Sequence, residues 1–272
     1  MKAKQSIAGL LFWTALVFFS FVSLPAEAQM SPYDRPYDRF DGLRTANPPP
    51  FYHFSVGVEG DFISRDIVED GFACNNCNIA SFPQTWATAS MNRVLARIGF
   101  SPIDNLEIYG VAGGNDLQID EFDGYNANMV FAYGGGIHWI YYQFPTYQGP
   151  LDLFADFRYL RFRAKENILF FAANNENVNE TITWNEYVLK LGISGRRYLF
   201  EPYGGMRFST IYGKDNIPTV EQNINLNFWQ DNVFGLFVGS NIYFTPADKA
   251  FFFIEAAIID EYSVNLGVRV RF

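Results

Sequence analysis

From residue 52 onward, apolar and polar positions alternate with a period of two. In 54–62, Phe54, Val56, Val58 and Phe62 share one face, while Ser55, Gly57, Glu59 and Asp61 take the other. The same alternation recurs at 93–100, 129–142, 152–162, 184–194, 202–211, 233–244, 250–258 and 262–272. Residues 105–114 read as a strand whose facing is ambiguous. Successive side chains of a β-strand point to opposite faces, so this pattern predicts strands with one apolar side. The count is ten, each of about ten residues, which is the length of a tilted strand crossing a bilayer.

The connections alternate in length. Those at 101–104, 144–150, 195–201 and 245–248 are short. On the opposite end, 64–84, 164–182 and 212–230 read as long polar loops, 115–126 is intermediate, and the last, near Asp260 and Glu261, is tight. Short turns at one end and longer loops at the other are the habit of outer-membrane barrels. An even number of strands puts both chain ends on the short-turn side.

The first residues read as an address. Lys2 and Lys4 precede an apolar run from Ile7 to about Val22, and Ala26-Glu27-Ala28 has the small-x-small form of a cleavage site. This predicts a signal peptide over 1–28, cleaved before Gln29; an uncleaved anchor is the other reading. Residues 29–51 read as a flexible linker, with the repeat Tyr33-Asp34-Arg35-Pro36, Tyr37-Asp38-Arg39-Phe40 and a run Pro48-Pro49-Pro50. The barrel is expected over 52–272.

Composition narrows the function classes. A net charge of -9 argues against a sequence-independent grip on nucleic acid. After the first segment there is no apolar run of a length that would make a membrane helix. Aromatic residues at 18% exclude disorder for most of the length. Trp139, Tyr141, Tyr142, Tyr159, Tyr187 and Tyr262 fall near strand ends, where aromatic girdles belong.

The last strand is more specific. Asn265-x-Gly267-x-x-Val270-x-Phe272 resembles the C-terminal β-signal of Gram-negative outer-membrane proteins. The architecture resembles the small opacity-type and outer-membrane-protein-A-type barrels, porin-like in outline. The resemblance implies an all-β, closed, antiparallel up-and-down transmembrane barrel of about ten strands, with eight or twelve as alternatives. It also implies the outer membrane of a Gram-negative bacterium, lipid and lipopolysaccharide as surroundings, and the barrel-assembly machinery as a partner during biogenesis.

On this register the lumen carries Glu59, Asp61, Arg93, Arg97, Asp152, Asp156, Arg158, Glu186, Lys190, Arg207, Glu255 and Arg269, with Arg271 and, less certainly placed, Glu107. Acids balance bases, as in an ion-pair network filling a narrow barrel or lining a selective pore. The excess negative charge is assigned to the long loops: Asp66, Glu69, Asp70, Asp116, Asp120, Glu121, Asp123, Glu176, Glu180, Asp215 and Glu221. Cys74 and Cys77 are expected to form a disulfide in an exported protein. No metal or cofactor site is expected. His53-x-Ser55 and His138 are weak catalytic candidates, read as structural histidines. The expected function is therefore a non-enzymatic barrel, either a narrow passage for small polar solutes or a structural envelope protein. The alternatives are a surface-recognition barrel binding an unidentified external ligand through acidic loops and, third, an outer-membrane enzyme.

Overall fold

The computed structural model describes residues 53–69, 85–120, 125–144, 146, 151–170, 176–218, 223–244 and 249–272. The expected signal peptide (1–28), the linker (29–51) and the Cys74–Cys77 pair lie outside the described residues.

Every regular element among the described residues is a β-strand. They are β1 (Phe54–Glu69), β2 (Thr85–Ile103), β3 (Leu106–Asp120), β4 (Tyr125–Phe144), β5 (Leu151–Phe170), β6 (Glu176–Gly195), β7 (Phe200–Pro218), β8 (Asn223–Gln230), β9 (Phe234–Tyr243), β10 (Ala250–Ile258) and β11 (Tyr262–Arg271). All neighbours are antiparallel, and β11 pairs with β1 from Ser55↔Arg271 to Ser64↔Tyr262. That contact closes a ring of ten strands, in which β8 takes no part. Closure removes the free edges that would otherwise leave backbone polar groups unpaired.

The ring does not keep its size. β8 and β9 are two halves of one descending strand, broken at Asp231-Asn232-Val233. β9 pairs with the lower part of β7, and β8 with its upper part, from Tyr212↔Trp229 to Pro218↔Asn223. The β10–β11 hairpin stops at this level, and the top of β1 crosses directly to β8 through Ile67↔Gln230 and Glu69↔Phe228. The barrel is thus ten-stranded near the chain ends and eight-stranded at the far end, and we call the narrower part the collar. The hairpin tip is pinned to the break: Gln230 Nε2 donates to the Asp260 carbonyl at 3.0 Å, and Asn232 Nδ2 to the Ile259 carbonyl at 3.4 Å. Ile259 has φ 86°, a region that a β-branched residue enters only where its surroundings force it.

The faces explain the two zones. Near the chain ends the outward residues are apolar: Phe54, Val56, Val58 and Phe62 on β1; Val94, Ala96, Ile98 and Phe100 on β2; Tyr187, Leu189, Leu191 and Ile193 on β6. The belt on β1 is nine residues long, or roughly 20 Å once strand tilt is included, close to a bilayer's hydrocarbon core. Trp139, Tyr141 and Tyr142 border it below, and Tyr159, Tyr187 and Tyr262 above. Beyond that upper border the sense reverses. Outward positions become Asp66, Thr88, Ser90, Asn92, Arg161, Arg163 and Lys165, while inward ones become Ile63, Ile67, Ala87, Ala89, Met91, Phe162 and Ala164. The lower zone meets an apolar medium and holds charge inside. The upper zone is built like a water-soluble barrel.

One expectation needs correction, and two features go beyond the expected pattern. The long loops expected at 164–182 and 212–230 are largely strand, and the described part of 64–84 is strand as well: β1 runs to Glu69, β5 to Phe170, β6 starts at Glu176, β7 runs to Pro218 and β8 starts at Asn223. Where their side chains are described, the polar look comes mainly from outward residues facing water, such as Asp66, Lys165 and Lys214, while inward apolar positions recur at Ile67, Ile182 and Ile217. The facing of 105–114 is resolved, with Ile108 and Gly110 outward and Tyr109 and Val111 inward. In β4 the parity slips twice: Asn115 pairs with Val130 but Leu117 with Ala127, so a bulge near Asn128 lets Tyr125 and Ala127 share the interior with Ala132, and a second shift between Ile140 and Tyr142 puts Tyr141 and Tyr142 both on the exposed side.

One collar contact is close enough to test. Gly213 lies opposite Phe228, and a β-carbon there would sit 1.8 Å from that ring's Cζ. Gly213→Ala is expected to force the ring aside at a cost of about 1–3 kcal/mol, read as a lower denaturant midpoint of the refolded protein. A midpoint equal to that of the parent would show that the ring yields freely.

Candidate functional site

The barrel interior is layered. Nearest the chain ends, Glu107 Oε2 accepts from Arg97 Nη2 at 3.0 Å and lies 3.6 Å from Arg269 Nη1; its Oε1 accepts from Ser55 Oγ at 2.6 Å. Across this level, Asp156 accepts from Tyr109 Oη at 3.0 Å and pairs with His138 Nδ1 at 3.3 Å, and Lys190 pairs with Glu255. Arg269 and Arg271 stand over the Phe251 ring.

The middle layer is a dense arginine–carboxylate network. Glu186 is its hub: Oε2 accepts from Arg93 Nη2 at 2.5 Å, and Oε1 lies 3.2 Å from Arg65 Nη2 and 3.8 Å from Arg158 Nη2. Arg158 Nη1 also lies 3.5 Å from Glu59 and 3.6 Å from Asp61. Glu261 pairs with both Arg65 and Arg207, and Arg207 Nε lies 3.1 Å from Asp260 Oδ2. Asp260 accepts in addition from Ser209 Oγ at 2.5 Å. Arg65, Arg93 and Glu186 are fully buried. Charges removed from water persist only when paired and hydrogen-bonded in this way.

Above the network the interior becomes apolar. Phe162 stacks on Trp184 with centroids 5.6 Å apart, and Trp184 meets Phe228 at 5.3 Å. Leu95, Leu117, Leu160 and Ile211 are fully buried around them. At the collar mouth Glu180 and Asp215, expected in acidic loops, instead face inward and are buried. Burial, with Glu180, Glu166 and Asp215 nearby, pushes the Tyr125 phenol above its ordinary range.

Of the lumen residues expected from sequence, Glu59, Asp61, Arg93, Arg158, Glu186 and Arg207 meet in the middle layer, while Arg97, Asp156, Lys190, Glu255 and Arg269 form the lower one. Asp152 belongs to neither. It sits at the rim and accepts from Gln143 Nε2 at 2.9 Å. The sequence pattern does not single out Arg65, Asp260 and Glu261, since the last two fall at a tight turn and Arg65 lies where the pattern predicts a loop. For Arg65 the signal was present: it continues the inward parity of Glu59, Asp61 and Ile63.

The two histidines sit in different settings, and His138 is the one paired with Asp156. His53 is exposed at the rim, and His138 packs its ring 5.4 Å from Phe154. Among the described residues no cluster of His, Cys, Asp and Glu has the arrangement of a metal site. The terminal motif lies on β11. Asn265 pairs with Asp61 and Glu255, a β-carbon on Gly267 would meet the Phe253 ring at 2.7 Å, and Val270 faces outward. Phe272 N donates to the Phe54 carbonyl at 2.8 Å, tying the chain's end to its first strand.

No family model matches the chain, and no curated protein matches it. Among solved structures it is similar to the outer membrane protease OmpT of Escherichia coli, at 12% identity over 82% of this chain and 97% of that one, with a TM-score of 0.46. It is also similar to the translocator domain of the autotransporter NalP of Neisseria meningitidis, at 10% identity over 87% and 94% of the two chains, with a TM-score of 0.44. The β-domain of the Bordetella autotransporter BrkA matches at 11% identity over 81% and 100%, with a TM-score of 0.38. These neighbours are outer-membrane β-barrels. At such identities the likeness is one of fold alone.

Proposed function

We propose that this chain is a sealed, non-enzymatic outer-membrane barrel that anchors a collar above the outer leaflet and presents the far rim of that collar to the outside. The observation that carries this reading is the filled interior: the buried Arg65–Arg93–Glu186 network lies directly under the packed Phe162–Trp184–Phe228 layer. Side chains of an eight- to ten-stranded barrel suffice to fill it, so solute passage is the less favoured role. The start of β1 and the end of β11 share the rim opposite the collar; a β-signal at that rim suits assembly from the periplasm, which favours this orientation. The collar carries the far ends of β1 to β8 beyond the belt. That favours contact with an external partner as the role of this end of the barrel.

Planar-bilayer recording on the refolded protein tests the reading. The expected trace shows no discrete conductance steps. Regular steps that change size when Arg97 and Arg207 are neutralised would establish a pore and sink the sealed barrel.

A further inference from the structure

The outward face of the collar is sorted by charge, although the chain as a whole is acidic. On β5–β8 the residues just above the aromatic border form cross-strand rows. Arg161 pairs with Asn185, and Asn185 with Tyr212, which pairs with Trp229. One step higher come Arg163, Thr183, Lys214 and Asn227, and then Lys165, Thr181, Asn216 and Asn225. All four bases are exposed. These rows hold no carboxylate, and Arg161, Arg163, Lys165 and Lys214 form no ion pair with a described residue. The outward acids Asp66, Asp116 and Asp120 stand on β1 and β3 instead, where Asp66 accepts from Thr88 Oγ1 and Asp116 from Asn92 Nδ2.

The basic rows have an apolar flank. Tyr133 lies opposite Arg161, and its ring stacks on Phe131 with centroids 6.1 Å apart. Phe131 and Met129 are 68% and 67% exposed, the most open apolar side chains on this wall. Below the rows Tyr159 and Tyr187 pack at 5.0 Å, marking the headgroup level.

We propose that this wall is a binding site for a phosphorylated glycolipid of the outer leaflet. This inference rests on the membrane reading above. Arg161 and Arg163 stand on the same face of one strand, roughly 7 Å apart, so two guanidinium forks reach one phosphorylated headgroup. Lys214 and Lys165 add point charge beside them. Met129, Phe131 and Tyr133 offer an apolar track to an acyl chain, which a free phosphate would leave unused. Basic side chains at the headgroup level attract anionic lipid, and exposed unpaired cations there lose little by exchanging water for phosphate.

The test uses the full chain refolded in detergent micelles, with heat-modifiable gel migration confirming a formed barrel for every variant. Three probes are titrated: lipopolysaccharide, its dephosphorylated form, and inorganic phosphate. The parent is expected to bind lipopolysaccharide and to bind the dephosphorylated form at least about tenfold more weakly, one charge-assisted contact being worth that much. Arg161→Gln/Arg163→Gln and, separately, Lys165→Gln/Lys214→Gln are each expected to weaken lipopolysaccharide binding by a similar factor, while Asp66→Asn/Asp120→Asn leaves it unchanged. Equal binding of the two glycolipids, or unchanged binding in both basic variants, would overturn the proposal. So would inorganic phosphate matching lipopolysaccharide. A chain that never shows heat-modifiable migration would count against the membrane reading instead.

Discussion

Glu186→Gln is expected to be the most damaging single change in the lower barrel, at about 3–5 kcal/mol. The carboxylate faces Arg93 at 2.5 Å, Arg65 at 3.2 Å and Arg158 at 3.8 Å, and all four side chains lie out of water or nearly so. The amide is nearly isosteric, so packing is preserved and the loss isolates charge. Without the hub, Arg93 is left with Asp61, 4.0 Å away, as its nearest carboxylate. Breaking a buried pair by removing one partner leaves an uncompensated ion in a medium that cannot solvate it, which is where the penalty arises. The measurement is the denaturant midpoint of the refolded barrel, compared with Asp66→Asn, an exposed acid whose loss is expected to stay within about 0.5 kcal/mol. A Glu186→Gln midpoint within about 1 kcal/mol of the parent would show that water reaches this layer, and the sealed interior would fall with it.

That hub illustrates how far the sequence could be read. Within the belt, residues such as Phe54, Val56 and Val58 alternate cleanly with Ser55, Gly57 and Glu59, because lipid outside and charge inside give the two faces opposite character. The ring of ten strands and the inward direction of Glu59, Arg93 and Glu186 were legible on that basis. Above the belt the same alternation persists with its meaning exchanged. Arg161, Arg163 and Lys165 face water and Phe162 and Ala164 face the core, so a rule that equates apolar with outward takes the strand for a polar loop. Arg65, one step past the crossover at Ile63, fell on the wrong side of that rule. The split of the eighth strand was not legible at all. It depends on the short β10–β11 hairpin releasing β1 to pair with β8, a consequence of three-dimensional closure that no local pattern announces.

The collar should therefore fail independently of the belt, and Trp184→Ala is the change that separates them. Trp184 is fully buried between Phe162 and Phe228, and its removal leaves a cavity among strands that have only each other to pack on. Large aromatic-to-alanine changes in such cores cost about 3–5 kcal/mol. The belt has its own support in lipid contact and in the ion pairs of the arginine–carboxylate layer, in which Trp184 takes no part. Limited proteolysis of the protein in lipid vesicles is expected to cut the variant within the collar, in segments such as Ile63–Ile67 or Phe162–Ala164, while the membrane-embedded fragment keeps its heat-modifiable migration. Trp184→Phe is the matched control. It keeps the ring stack and removes an indole N–H that finds no acceptor among the described residues, so it is expected to stay close to the parent. If Trp184→Ala instead abolished heat-modifiable migration altogether, collar and belt would be one cooperative unit, and the eight-stranded zone would be part of what holds the barrel in the membrane rather than a structure built upon it.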